Sequence, residues 1–91
     1  PQTGADHFMA AVAYQELDSN ETAETHFEAA VTMEPSNESY RRAYADFLRN
    51  CGRWEDAIRQ YQLCRLISKT PELYDRLVET VRRERDRGKD H

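Results

Sequence analysis

Two stretches of the chain, AETHFEAAVTMEP at residues 23–35 and AIRQYQLCRLISK at residues 57–69, become similar when they are aligned at an offset of 34 residues. Small, aromatic and small side chains then coincide in three pairs: Ala23 with Ala57, Phe27 with Tyr61, and Ala30 with Cys64. Spacings of four and three residues place such side chains on one face of a helix. The coincidence therefore predicts two copies of one helical unit.

The same offset holds outside these two stretches. It aligns further pairs that precede these stretches: Ala11 with Ala45, Tyr14 with Leu48, and Glu21 with Glu55. It also carries the motif ESYRR, which begins at Glu38, onto ELYDR, which begins at Glu72. The last helical segment therefore resembles the first helix of a third unit.

Capping and breaking residues divide the chain into five predicted helices. We expect the first helix at about residues 5–17 and the second from a cap at Ser19 or Asn20 to about residue 34. The other three are expected at about residues 38–50, 54–68 and 71–87. Pro35 ends the second helix, Ser36 or Asn37 caps the third, and Gly52 follows it as a left-handed stop. Gly88 is expected to end the fifth helix.

Composition excludes several classes of protein. The 91 residues have a formal net charge of −4, which disfavours non-specific binding to nucleic acid or to an anionic membrane. No apolar run approaches the ~18 residues of a bilayer span, and no signal peptide is present. We expect a cytoplasmic protein without membrane insertion. The chain begins with Pro1 rather than methionine, which favours a piece of a longer protein.

A repeat of 34 residues with this pattern resembles the tetratricopeptide repeat. The family has a small residue late in its first helix, here Ala11 and Ala45, and a bulky one three residues later, here Tyr14 and Leu48. Its second helix carries alanine, an aromatic and a small residue at the places already aligned, and Pro35 closes the first unit. Departures are Lys69 at the second closing position, and His7, Arg41 and Asp75 where the family has a large residue.

The resemblance implies an all-α fold, a short right-handed solenoid of about five helices. We expect a single tetratricopeptide-like domain over residues 1–91, with repeats at about 4–37 and 38–71 and a C-terminal capping helix at about 71–87. Each unit buries its apolar stripe by stacking on a neighbour. Small side chains let the helices approach closely, and aromatic side chains fill the space between units.

In this family the first helix of each unit lines a concave groove in which peptides bind. The resemblance places four arginines there, with equivalent positions in pairs: Arg42 with Arg76, and Arg49 with Arg83. They are expected to bind an acidic segment or a C-terminal carboxylate by bidentate contacts. Asp46 and Asn50 share this surface. The alternative is internal pairing, because Asp46 is spaced to pair with Arg42 and Arg49.

The other half of the expected groove is apolar and consists of Phe8, Met9 and Val12. Family members that bind chaperone tails use a carboxylate clamp of lysine, asparagine and arginine, but Phe8, Val12 and Ala43 occupy corresponding positions here. Clamp recognition is therefore not expected. The apolar residues are expected to contact a partner protein or peptide, or a second copy of the chain in a self-associating scaffold. A further alternative is contact with a neighbouring repeat of a longer chain.

No pattern indicates catalysis, a metal or a cofactor. His7, His26 and His91 lack further ligands at metal spacing, and no nucleophile elbow or glycine-rich phosphate loop occurs. Cys64 is expected to pack in the core, and Cys51 to lie exposed at a helix end. The sequence favours a non-catalytic protein-interaction module that binds a peptide or partner helix, with no nucleic acid and no cofactor.

Overall fold

The computed structural model describes residues 2–89, in which five α-helices and no strands occur. The helices are α1 (Gly4–Glu16), α2 (Asn20–Met33), α3 (Glu38–Asn50), α4 (Trp54–Ile67) and α5 (Pro71–Lys89). The predicted all-α architecture is confirmed. The bounds of α3 agree with the prediction, and those of α1, α2 and α4 differ from it by one residue at one or both ends.

Side chains cap two of the helices. Thr3 and Asp6 form a capping box at α1, in which each side chain accepts a hydrogen bond from the other residue's backbone N–H. Asn37 caps α3 by accepting from the N–H of Tyr40 at 3.1 Å. Ser19 occupies the N-cap position of α2, as predicted, but its side chain forms no capping hydrogen bond.

The turn between the two helices of each repeat is the same structure made twice. The N–H of Ser19 donates to the carbonyl of Tyr14, and the N–H of Arg53 donates to that of Leu48, both at 2.9 Å. The residue before each donor has a left-handed backbone, with φ of 59° at Asp18 and 76° at Gly52. Glycine adopts this conformation without steric cost, so the second repeat has the better residue for the turn.

The prediction that Gly88 ends the last helix is wrong. Gly88 continues α5, which extends to Lys89, and a side chain added there would meet no other atom within 4 Å. A glycine stops a helix when it takes a left-handed backbone that satisfies the last carbonyls, as Gly52 does. Gly88 is not among the residues with positive φ.

The repeat positions form the core. The five alanines of the aligned pairs are completely buried: Ala11, Ala23, Ala30, Ala45 and Ala57. The aromatic residues Phe27, Tyr61 and Tyr74 are buried beside them, and Cys64 takes the predicted small position with no exposed surface. Most of the apolar side chains that relate the repeats in sequence therefore pack the helices together, but Tyr14, the counterpart of buried Leu48, is 38% exposed.

Polar residues at the family's large position also join the helices. His7 and His26 approach with their Nδ1 atoms 2.9 Å apart, which links α1 to α2. Arg41 donates to Gln60 at 2.8 Å at the equivalent place between α3 and α4. At this position, side-chain hydrogen bonds between the two helices thus take the place of the family's large residue.

Candidate functional site

The helices form two layers. Consecutive helices pack together along the chain, while side-chain contacts connect α1 to α3 and α3 to α5. Consequently α1, α3 and α5 share one surface, which we call the odd-helix face, and α2 and α4 form the other layer. The residues predicted to bind a partner all belong to α1, α3 or α5: Phe8, Met9, Val12, Arg42, Asp46, Arg49, Asn50, Arg76 and Arg83.

Arg49 is held by a bidentate ion pair that bridges α3 and α5. Its Nε donates to Oε1 of Glu84 at 2.8 Å, and its Nη2 donates to Oε2 at 2.6 Å. Both side chains are about one quarter exposed, at 27% and 29%. The hydrogen bonds from Arg49 lower the pKa of the Glu84 carboxyl, and the same bonds raise the pKa of Arg49. One of the four predicted arginines therefore holds two helices together.

Two tyrosine hydroxyls place carboxylates at the odd-helix face. Tyr61 of α4 donates to Asp46, and Tyr74 of α5 donates to Glu38 of α3. Burial raises the pKa of both hydroxyls, and each hydrogen bond to a carboxylate adds to the increase. Both tyrosines remain donors at neutral pH and fix the carboxylates they contact.

The alternative that Asp46 pairs with neighbouring arginines is wrong. In the range 2–89, no ion pair joins Asp46 to Arg42 or Arg49, and its carboxylate accepts from Tyr61 instead. The helical spacing permits both pairings, but the buried tyrosine from α4 brings its hydroxyl to the same carboxylate. A tertiary contact has replaced the local one.

Arg42 and Arg76 are the two arginines, of the four predicted to bind a partner, that form no side-chain contact with a carboxylate in the described residues. Both are exposed, and no ion pair or side-chain hydrogen bond of either is found among the residues that the structure describes. Arg83 is exposed and approaches Glu79 one turn earlier at 3.6 Å, a weak surface contact. Of the four arginines, Arg49 is thus bound to Glu84, whereas Arg42 and Arg76 are equivalent and Arg83 is 71% exposed.

The predicted apolar residues differ widely in accessibility. The ring of Phe8 stacks on Tyr40 with centroids 4.7 Å apart and meets Phe27 edge-on at 6.2 Å, so it helps to join α1 to the core. Val12 is partly buried, whereas Met9 is 69% exposed. Of these three residues, Met9 has most of its surface exposed to solvent.

Several contacts at the face were not predicted from the sequence. The partners Arg49 and Glu84 lie 35 positions apart, and Tyr61 lies 15 positions from Asp46. The pairing of His7 with His26 had one available signal, since Arg41 and Gln60 occupy the same two places 34 residues later. His91 lies outside the described residues.

Metal clusters and membrane-spanning helices are both absent from residues 2–89. No group of three or more His, Cys, Asp or Glu side chains there is arranged to hold a metal ion. None of the five helices has both the length and the apolar character that a bilayer crossing requires.

The fold and the aligned core positions define a helical-repeat protein of the tetratricopeptide class. The family model described as YpiA-like, C-terminal tetratricopeptide repeats matches residues 5–64. The chain belongs to this family, whose repeats serve in general as protein-interaction modules without catalytic activity. No curated protein and no solved structure shows significant similarity to the chain.

Proposed function

We propose that the chain is a non-catalytic module that binds an acidic, extended segment of a partner protein on the odd-helix face, through Arg42 and Arg76. The observation that carries the proposal is the equivalence of these two exposed arginines in consecutive repeats. Equivalent positions in consecutive repeats place the two side chains on the same face of the repeat array. Each guanidinium group can bind a carboxylate through two parallel hydrogen bonds.

The spacing of the helices supports an extended ligand. Helices in contact pack about 8–10 Å apart, and a ligand in the extended polyproline II conformation rises about 3.1 Å per residue with three residues per turn. Carboxylates about three residues apart on the ligand would therefore reach consecutive arginines. Two carboxylates of this face already have partners, since Asp46 accepts from Tyr61 and Glu84 accepts from Arg49.

The distribution of charge supports an acidic partner. All 13 lysines and arginines lie in residues 41–91, together with nine acidic residues, so this part has a formal charge of +4. Arg42 and Arg76 belong to it. An acidic segment is attracted to this part of the molecule, although the net charge of the whole chain is negative.

The test uses a fluorescein-labelled nine-residue peptide with three glutamates spaced three positions apart. We expect saturable binding by fluorescence anisotropy that weakens with added salt. The double variant Arg42→Glu, Arg76→Glu should bind at least tenfold more weakly. The matched control Arg59→Glu, Arg65→Glu reverses two charges on α4, where the side chains are 67% and 49% exposed.

Equal weakening by the control would mean that only net charge matters, and the proposal would be wrong. A complete absence of binding by the wild-type chain would also contradict it. Sedimentation of the chain without peptide, over a hundredfold concentration range, separates this function from self-association. A dimer that persists in the double variant would favour the scaffold function.

A further inference from the structure

The first helix of each repeat has a side that meets the preceding helix. On α3 this side carries Tyr44 and Phe47, whose rings lie 5.9 Å and 5.1 Å from that of Phe27 on α2. On α5 the equivalent residues are Val78 and Val81, which are buried where α5 packs on α4. This side is thus covered wherever a helix precedes it.

On α1 the same side is uncovered in the part of the chain that the structure describes. The residues equivalent to Tyr44 and Phe47, 34 positions earlier, are Ala10 and Ala13. Met9 directly precedes Ala10, and Leu17 lies one turn after Ala13, so both extend this side of the helix. Met9 is 69% exposed and Leu17 is 72% exposed. We call Met9, Ala10, Ala13 and Leu17 the α1 stripe. Its two alanines lie between the larger side chains and allow a close approach of backbones.

The surroundings of the α1 stripe are acidic. Residues 1–40 contain eight acidic residues and no lysine or arginine, which gives a formal charge of −8. Asp6 and Glu16 lie on α1 beside the stripe, and both are exposed. Two copies of this repeat would repel each other, because charges of the same sign would meet. The stripe therefore favours a partner of positive charge.

We infer that the α1 stripe is a second interaction surface, which binds a cationic amphipathic helix of a partner protein. The helix would lie along α1 as α2 lies along α3, with apolar residues at three- and four-residue spacing against the stripe. Lysines or arginines on its flanks would face Asp6 and Glu16. This surface is separate from the odd-helix arginines, and its ligand has the opposite charge.

The probe is an 18-residue peptide with leucines on one helical face and lysines elsewhere, labelled with fluorescein at its N-terminus. The control peptide has glutamate at every lysine position. We expect anisotropy to show binding of the lysine peptide and at least tenfold weaker binding of the glutamate peptide. In the double variant Met9→Ser, Leu17→Ser the affinity for the lysine peptide should fall at least tenfold.

The matched control is Met33→Ser, because Met33 is 50% exposed on α2 within the same acidic repeat. It should leave the affinity within about twofold. Equal loss in the control and the double variant would mean that the peptide binds the acidic repeat without using the stripe, which would overturn the inference. A wild-type dimer that dissociates in the double variant would also overturn it, since a second copy would then cover the stripe. The variants Arg42→Glu and Arg76→Glu leave the α1 stripe unchanged, so the outcomes for the two surfaces are distinguishable.

Discussion

Breaking the bridge between Arg49 and Glu84 should loosen the attachment of α5 to α3. The two hydrogen bonds are charge-assisted and short, at 2.8 Å and 2.6 Å, which favours a larger contribution than that of an isolated surface pair. Both side chains are more than one quarter exposed, and solvent screening reduces the contribution. We therefore expect a coupling free energy of about 1 kcal/mol.

A double-mutant cycle measures this coupling directly. The four chains are the wild type, Arg49→Met, Glu84→Gln and the double variant, and the free energy of unfolding of each comes from urea denaturation followed by circular dichroism. For a domain of this size, a loss of about 1 kcal/mol lowers the melting temperature by about 4–8 °C. A coupling below about 0.3 kcal/mol at pH 7 would refute the reasoning, because effects of that size are also found between independent sites.

The coupling should also depend on pH in one direction. The pKa of Glu84 is lowered in the folded chain by the hydrogen bonds from Arg49. A lowered folded pKa means that the stabilisation is complete above the glutamate pKa of the unfolded chain, about 4.3, and is lost as the pH falls through the folded value. The cycle repeated at pH 3 should give a smaller coupling than at pH 7. An equal coupling at both values would contradict an ionic origin.

The bridge has a consequence for ligand binding. Replacing Glu84 by Gln removes the negative charge that neutralises Arg49, while the guanidinium remains at the odd-helix face. We expect Glu84→Gln to bind the glutamate peptide several times more tightly than the wild type does in the same anisotropy assay. Unchanged or weaker binding would mean that Arg49 lies outside the path of the ligand.

Three further predictions concern stability and thiol reactivity. Gly52→Ala should lower the free energy of unfolding by about 1 kcal/mol, because φ is 76° at that position. Gly88→Ala should raise it by about 0.5–1 kcal/mol, because that glycine is helical. Urea denaturation measures both changes. Unchanged or higher stability in Gly52→Ala, or lower stability in Gly88→Ala, would contradict the assignment of the two glycines. Ala45→Leu should cost about 1–3 kcal/mol by the same assay, because Ala45 is fully buried at a helix crossing, and a neutral substitution would show that the crossing is loosely packed. With a thiol reagent at pH 8, exposed Cys51 should react in the folded protein. Cys64 should react only after unfolding, because burial shields its thiol and raises its pKa to about 11. Rapid reaction of both thiols would contradict the burial of Cys64.

The sequence predicted the core better than it predicted the surface. Ala11, Ala45, Phe27 and Tyr61 recur because each repeat makes the same helix crossing, and a repeated physical requirement leaves a repeated residue. The end of α5 was misplaced because glycine stops a helix only in a left-handed conformation, which Gly88 does not adopt.

The side-chain contacts of the odd-helix face could not be predicted from the spacing of residues in the sequence. The spacing of Asp46 on α3 predicted pairing with arginines, but the Tyr61 hydroxyl from α4 reaches the same carboxylate. Arg49 finds its partner 35 residues away on α5. Such contacts depend on the rotation of neighbouring helices and on side-chain rotamers, so only the structure shows which arginines remain open.

The most direct test of the proposed function is a map of the peptide contact in solution. The ¹⁵N-labelled chain would be titrated with the nine-residue glutamate peptide while backbone amide shifts are followed by NMR. The proposal predicts that the largest shift changes cluster on α3 and α5 around Arg42 and Arg76, with little change along α2. Changes concentrated on α2 and α4, or spread evenly over the chain, would contradict binding on the odd-helix face.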